Sequence, residues 1–219
     1  MAKADLQLEK NVQQELVFEP SINASAIRVT ANDGVVVLKG KVATYAEKRA
    51  AVHAAERISG ARAVTDELLI ELSPAHERKD EDIAKAALNA LQWDVWVPSE
   101  LINIVVEDGW ITLEGAVPFK YQQDAAENVV RNLIGVRGVS NQTTIKKPPA
   151  NSVVVKAHIE NALLRAADVQ AHHINVDVTD GLVILRGKVA SWAERKEAER
   201  AAWSAPGVEA VEDHLIIAA

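Results

Sequence analysis

The chain has 219 residues, 48% of them apolar, with 31 acidic against 24 basic side chains and a net charge of −7. Without a cysteine it has no disulfide framework, thiolate zinc site or cysteine nucleophile. No third of the chain is basic, so the electrostatic footprint of nucleic-acid binding is missing, and strong attraction to anionic lipid is disfavoured.

The chain start, Met1 to Lys10, has no apolar run of the kind an export signal carries, and charges interrupt every later hydrophobic run short of a membrane span. The expectation is a soluble cytoplasmic protein with no transmembrane segment, or a periplasmic one if the chain is a processed form. From Asp5 onward the sequence reads as one unit repeated three times, in phase on Asp33-Gly34, Asp108-Gly109 and Asp180-Gly181. Each unit opens with a helix-capping residue, Asp5, Asp80 or Ser152. Apolar residues then recur at helical spacing: Leu8, Val12 and Leu16; Ile83, Ala87 and Leu91; Val155, Ile159 and Leu163. Alternation with period two follows and predicts a half-buried strand, as in Ile27, Val29 and Ala31.

The Asp-Gly pair closes a hairpin, for which glycine supplies the positive φ. A second strand ends at Gly40, Gly115 or Gly187, where a missing side chain lets another backbone approach. A second helix runs from Tyr45, Tyr121 or Trp192 to a capping glycine at Gly60, Gly135 or Gly207. The last strand is Val64 to Ile70, Val139 to Ile145 or Val211 to Ile217. The order α-β-β-α-β predicts an α+β fold, with each three-stranded mixed sheet packed on two helices. Repeats are expected at 3–73, 78–147 and 150–219. The linkers are Ser73 to Lys79 and Lys146 to Asn151, and the Pro148-Pro149 pair makes the second the stiffer.

Two runs carry a resemblance to a known family. One is the strand-turn-strand stretch from Val29 to Val42, with its Asp33-Gly34 and Gly40. The other is the closing Gly-Val-x-x-Val-x-Asn/Asp run, Gly135 to Asn141 and Gly207 to Asp213, from which the first copy departs with Ala61 after its glycine. The pattern resembles the BON domain, named after bacterial osmotic-shock and nodulation proteins. The resemblance implies a non-enzymatic α/β module associated with osmotic stress, transport and envelope integrity, and with contact to phospholipid surfaces or other proteins.

Chemistry-bearing residues do not recur. The six histidines include the adjacent pair His172-His173, but none has ligand spacing, and glycine-rich phosphate loops and nucleophile elbows are absent. Asp33, Asp108 and Asp180 read as turn residues. No catalytic residue, metal or cofactor is expected. The candidate docking surface is aromatic: Trp93, Trp96, Trp110, Phe119 and Tyr121, all in the second copy. The competing reading buries these rings in a core or between repeats, along with Trp192 and Trp203 of the third copy. Two functions follow. The leading one is a stress-associated accessory protein touching a membrane surface or an envelope protein; the alternative is a cytoplasmic small-ligand or cation sensor.

Overall fold

Every fourth residue of the first helical pattern is apolar, and that stripe is what becomes buried. The computed structural model describes residues 3–146, 151–166 and 174–217. Helix α1 (Lys3–Phe18) buries Leu8, Val12 and Leu16, α3 (Asp80–Trp93) buries Ile83, Ala87 and Leu91, and α5 (Ser152–Arg165) buries Val155, Ile159 and Leu163.

The first repeat continues with β1 (Ile27–Asn32), β2 (Val35–Val42), α2 (Tyr45–Glu56) and β3 (Ala63–Ile70). The second has β4 (Ile102–Glu107), β5 (Trp110–Val117), α4 (Lys120–Val130), β6 (Gly138–Asn141) and β7 (Thr144–Ile145). The third has β8 (Ile174–Thr179), β9 (Leu182–Val189), α6 (Trp192–Ser204) and β10 (Ala210–Ile217). In each, the middle strand pairs antiparallel with its hairpin partner and parallel with the strand that returns after the second helix. The parallel partner is reachable only by a crossover, and the second helix supplies it. Along β2, Val36, Leu38 and Val42 are buried while Val35, Lys39 and Lys41 are exposed, so one sheet face is covered and the other left open. The covered side of the first repeat is one cluster drawn from α1, α2 and all three strands, including Ala51, Ala54 and Ala55.

The chain divides into two compact units, Met1–Gly115 with Tyr121–Thr143, and Ala116–Lys120 with Thr144–Ala219. The first contains the first repeat and most of the second. The other contains the third repeat with its own core, from Val155 to Ile217, against which Trp192 and Trp203 are partly buried. The Pro148-Pro149 linker and His172-His173 lie outside the described residues.

The hairpins are two-residue turns in which both residues have positive φ: 49° and 79° at Asp33-Gly34, 50° and 78° at Asp108-Gly109, 46° and 81° at Asp180-Gly181. This is the geometry whose twist matches the flanking strands, and aspartate tolerates the left-handed region better than most side chains. The glycine expected to end the second strand lies inside it, two residues before the ends of β2, β5 and β9, and is there for a different reason. A Cβ on Gly40 would lie 2.0 Å from the carbonyl oxygen of Ala26, and one on Gly115 would lie 2.1 Å from that of Leu101.

Three local expectations are corrected. Asp5 and Asp80 do not cap their own helices; they reach the hairpin turn instead. The Asp80 carboxylate accepts from Asp108 N–H and Gly109 N–H, both at 2.8 Å, and Asp5 accepts from Gly34 N–H at 3.4 Å. The third repeat has Ser152 at that place, and its helix is capped by Asn151, which accepts from Val153 N–H. Gly60, Gly135 and Gly207 lie several residues past the helix ends, in the turn leading to the last strand; Ala61 N–H bonds the Ile58 carbonyl across Gly60. The strand expected from Val139 to Ile145 is two pieces, β6 and β7. Between them Gln142 N–H bonds the Leu113 carbonyl, and the buried Thr143 donates its hydroxyl to Asn141 Oδ1.

The Asn/Asp of the closing run has a structural role that its sequence position does not reveal. Asp66 pairs with Lys48 at 3.0 Å, and Asp213 with Arg195 at 2.6 Å, tying the last strand to the second helix. In the second repeat the matching residues are both amides, and Asn141 Nδ2 donates to the Gln123 carbonyl at 2.9 Å. Substituting both members together avoids leaving one half-buried charge without its partner.

Candidate docking surface

Helix α3 stops at Trp93 because Asp94 turns extended, with φ −88° and ψ 121°. The Asp94 carboxylate then accepts from Trp96 N–H at 2.8 Å, and Val97 N–H bonds the Asp94 carbonyl. This local turn competes with helix continuation, as aspartate side chains commonly do. Val97 is buried and pins the loop, while the residues before it point outward: Trp93 is 87% exposed, Val95 89% and Trp96 61%.

A second element contributes one ring. In the first and third repeats the second helix opens with a capping box: Thr44 accepts from Glu47 N–H and Ser191 from Glu194 N–H. Glu47 and Glu194 are buried and accept in turn from the backbone N–H of Ala43 and Ala190. At the corresponding positions the second repeat has Pro118, which lacks that N–H, then Phe119 and Gln122. Apolar groups replace the cap, so the start of α4 presents Phe119 and Tyr121, both about half exposed. The Tyr121 ring meets that of Trp96 edge to face, with centroids 5.6 Å apart and an interplanar angle of 89°. That contact orders Trp96 without covering it.

The five candidate aromatics are therefore not one patch. Trp93, Trp96 and Tyr121 belong to the end where α3 finishes. Trp110 begins β5 beside the Asp108-Gly109 turn, which Asp80 ties to the start of α3. One helix length, roughly 20 Å for its residues, separates the two ends. Trp110 lies on the open sheet face, half exposed, with its ring across the cross-strand neighbour Gly138. The matching pairs are Val35 with Ala63 and Leu182 with Ala210, so the largest ring faces the residue with no side chain. Local filling accounts for Trp110, whereas nothing within the chain covers Trp93 among the described residues.

The remaining candidates are ordinary. His53 contacts Glu56 at 3.0 Å and His214 contacts Glu212 at 3.3 Å. No group of three His, Asp or Glu side chains among the described residues is placed to hold a metal ion. No described helix is long and apolar enough to cross a membrane. Within the second unit, the Lys120 ammonium lies 5.7 Å from the Trp203 ring centroid, a cation–π contact.

Comparison with known proteins agrees with the repeat. Residues 4–71, 79–147 and 151–219 each match the BON domain. The chain is similar to Osmotically-inducible protein Y of Escherichia coli (strain K12), at 28% identity over 146 residues, covering 65% of this chain and 73% of that protein. Among solved structures, CdsD, a structural protein of the type III secretion system of Chlamydia trachomatis, aligns with 97% of this chain and 92% of its own, at 16% identity and a TM-score of 0.28. The periplasmic domain of PrgH aligns with 94% of this chain and 99% of its own, at 10% identity and a TM-score of 0.23. Superpositions this loose carry no argument. Three successive matches spanning nearly the whole length do: the chain belongs to the BON domain family, as three tandem copies.

Proposed function

We propose that this chain is a non-catalytic, stress-associated binding protein, and that its second repeat docks on a phospholipid surface or an envelope protein through the end of α3. The observation that carries this reading is the outward placement of Trp93, Val95 and Trp96 on a loop held rigid by Asp94 and Val97. Tryptophan is favoured both at protein interfaces and at the headgroup level of a bilayer, because its broad apolar ring ends in an N–H donor. Family membership and the osmotically inducible relative support the stress association. Docking on phospholipid requires only a membrane face, which cytoplasm and periplasm both offer.

A well-seated tryptophan contributes on the order of 2 kcal/mol, which is about thirtyfold in affinity. Co-sedimentation with vesicles, with and without anionic lipid, is the direct test, paired with capture on isolated envelope proteins. Trp96→Ala is expected to lower binding about thirtyfold with an unchanged circular dichroism spectrum. Equal binding by the folded variant and the parent would remove the surface from consideration.

A further inference from the structure

The second helix of the first repeat carries a basic stripe with no counterpart in the second. Arg49, His53 and Arg57 stand at successive fourth residues of α2 and its end, where the second repeat has Asp124, Asn128 and Asn132. Within the first compact unit this stripe lines a cavity of about 280 Å³, whose other walls include Arg131 and Asn132 after α4 and Glu19 after α1. The charges do not cancel. Arg57 is matched by Glu15 at 2.8 Å and lies 3.7 Å from Glu19. Arg49 reaches only the imidazole of His53, at 3.5 Å, and its Nε is buried without a hydrogen-bond partner. Neither Arg49 nor Arg131 has a carboxylate partner among the described residues.

A buried guanidinium N–H left unpaired is costly, and a concave site with two uncompensated guanidinium groups is filled most favourably by an oxyanion. The flat N–H fork of arginine matches phosphate oxygens two at a time. We infer that this cavity binds a phosphate group, free or as the head of a small phosphate ester, held between Arg49 and Arg131. Its volume suits a phosphate with a small organic substituent and is below that of most drug-sized pockets. The site is distinct from the Trp93–Trp96 loop and does not depend on it.

Titration calorimetry of the full chain with inorganic phosphate, then glycerol 3-phosphate, at fixed ionic strength, tests the site. One saturable equivalent per chain is expected, weakened about tenfold or more by Arg131→Gln and by Arg49→Gln. Arg131→Lys, which keeps the charge but loses the fork, should fall between. Arg165→Gln, an exposed arginine of the third repeat, and Trp96→Ala should both bind as the parent does. Phosphatidylglycerol vesicles then identify the source. Vesicle binding that falls with Arg131→Gln indicates a lipid headgroup, and vesicle binding indifferent to it indicates a soluble phosphate; both keep the site. Phosphate binding that is absent, non-saturable or equally weakened by Arg165→Gln overturns it.

Discussion

Asp80 links the first turn of α3 to the hairpin through two backbone donors, and removing its carboxylate should loosen that turn selectively. The two bonds, each 2.8 Å to Asp108 and Gly109, are charge-assisted. Bonds of this kind contribute about 1.5–3 kcal/mol when sheltered. The turn is partly exposed, so the freed N–H groups recover water, and roughly 1 kcal/mol each is the better figure. Asp80→Ala is therefore expected to cost about 2 kcal/mol in local opening, and Asp80→Asn, which retains one acceptor, about half of that. Native-state hydrogen exchange resolves this residue by residue. The Gly109 amide should exchange about thirtyfold faster in Asp80→Ala, while Gly34 and Gly181 amides, in the other two hairpins, stay unchanged. Ser152→Ala, at the matching place in the third repeat, should shift stability by less than about 0.5 kcal/mol. An unchanged Gly109 rate, or an equal acceleration at Gly34 and Gly181, would refute the link.

Gly109→Val places a β-branched residue at φ 78° and should cost about 1–3 kcal/mol in the second repeat, read by chemical denaturation. Gly138→Ala would bring a Cβ to 2.4 Å from the Trp110 ring, displacing the indole and shifting its fluorescence. The same change made together with Trp110→Val recreates the Val35–Ala63 pairing, so a double-mutant cycle should show a coupling of about 1 kcal/mol, and additive effects would contradict the pairing. A fragment of residues 150–219 should fold alone, since the third repeat has its own core; narrow amide dispersion in its NMR spectrum would show otherwise.

The parts of this fold that could be read from the chain are those where one residue type answers one local demand. Asp-Gly at equal phase implied a tight turn, and apolar residues at every fourth position implied the buried stripe, because both constraints act within a few residues. Asp5 and Asp80 bind hairpin amides rather than cap a helix, and the reason is instructive. An acidic side chain before an apolar periodicity has the pattern of a helix cap, and only the three-dimensional arrangement shows a hairpin amide competing for the same oxygens. The boxes Thr44 to Glu47 and Ser191 to Glu194 have the spacing of capping signals, and their loss in the second repeat is what leaves Phe119 and Tyr121 at the helix start. The separation of Trp110 from Trp96 was not legible, since fourteen residues of chain do not say which end of a sheet each ring reaches. The Arg49–Arg131 cavity was beyond sequence reasoning altogether, because its walls come from different repeats.

Trp110 facing Gly138, beside Val35 facing Ala63 and Leu182 facing Ala210, also bears on how such a chain can be inherited. Tandem copies of a gene segment exchange material by recombination, and each crossover point cuts the encoded protein somewhere. A crossover between the codons of β5 and β6 would deliver tryptophan opposite alanine in one product and an uncovered glycine in the other. Crossovers in the linkers carry both partners across intact. Selection for packing therefore favours exchange of whole repeats over exchange of their parts, which preserves the distinct character of each copy while leaving their number free to change.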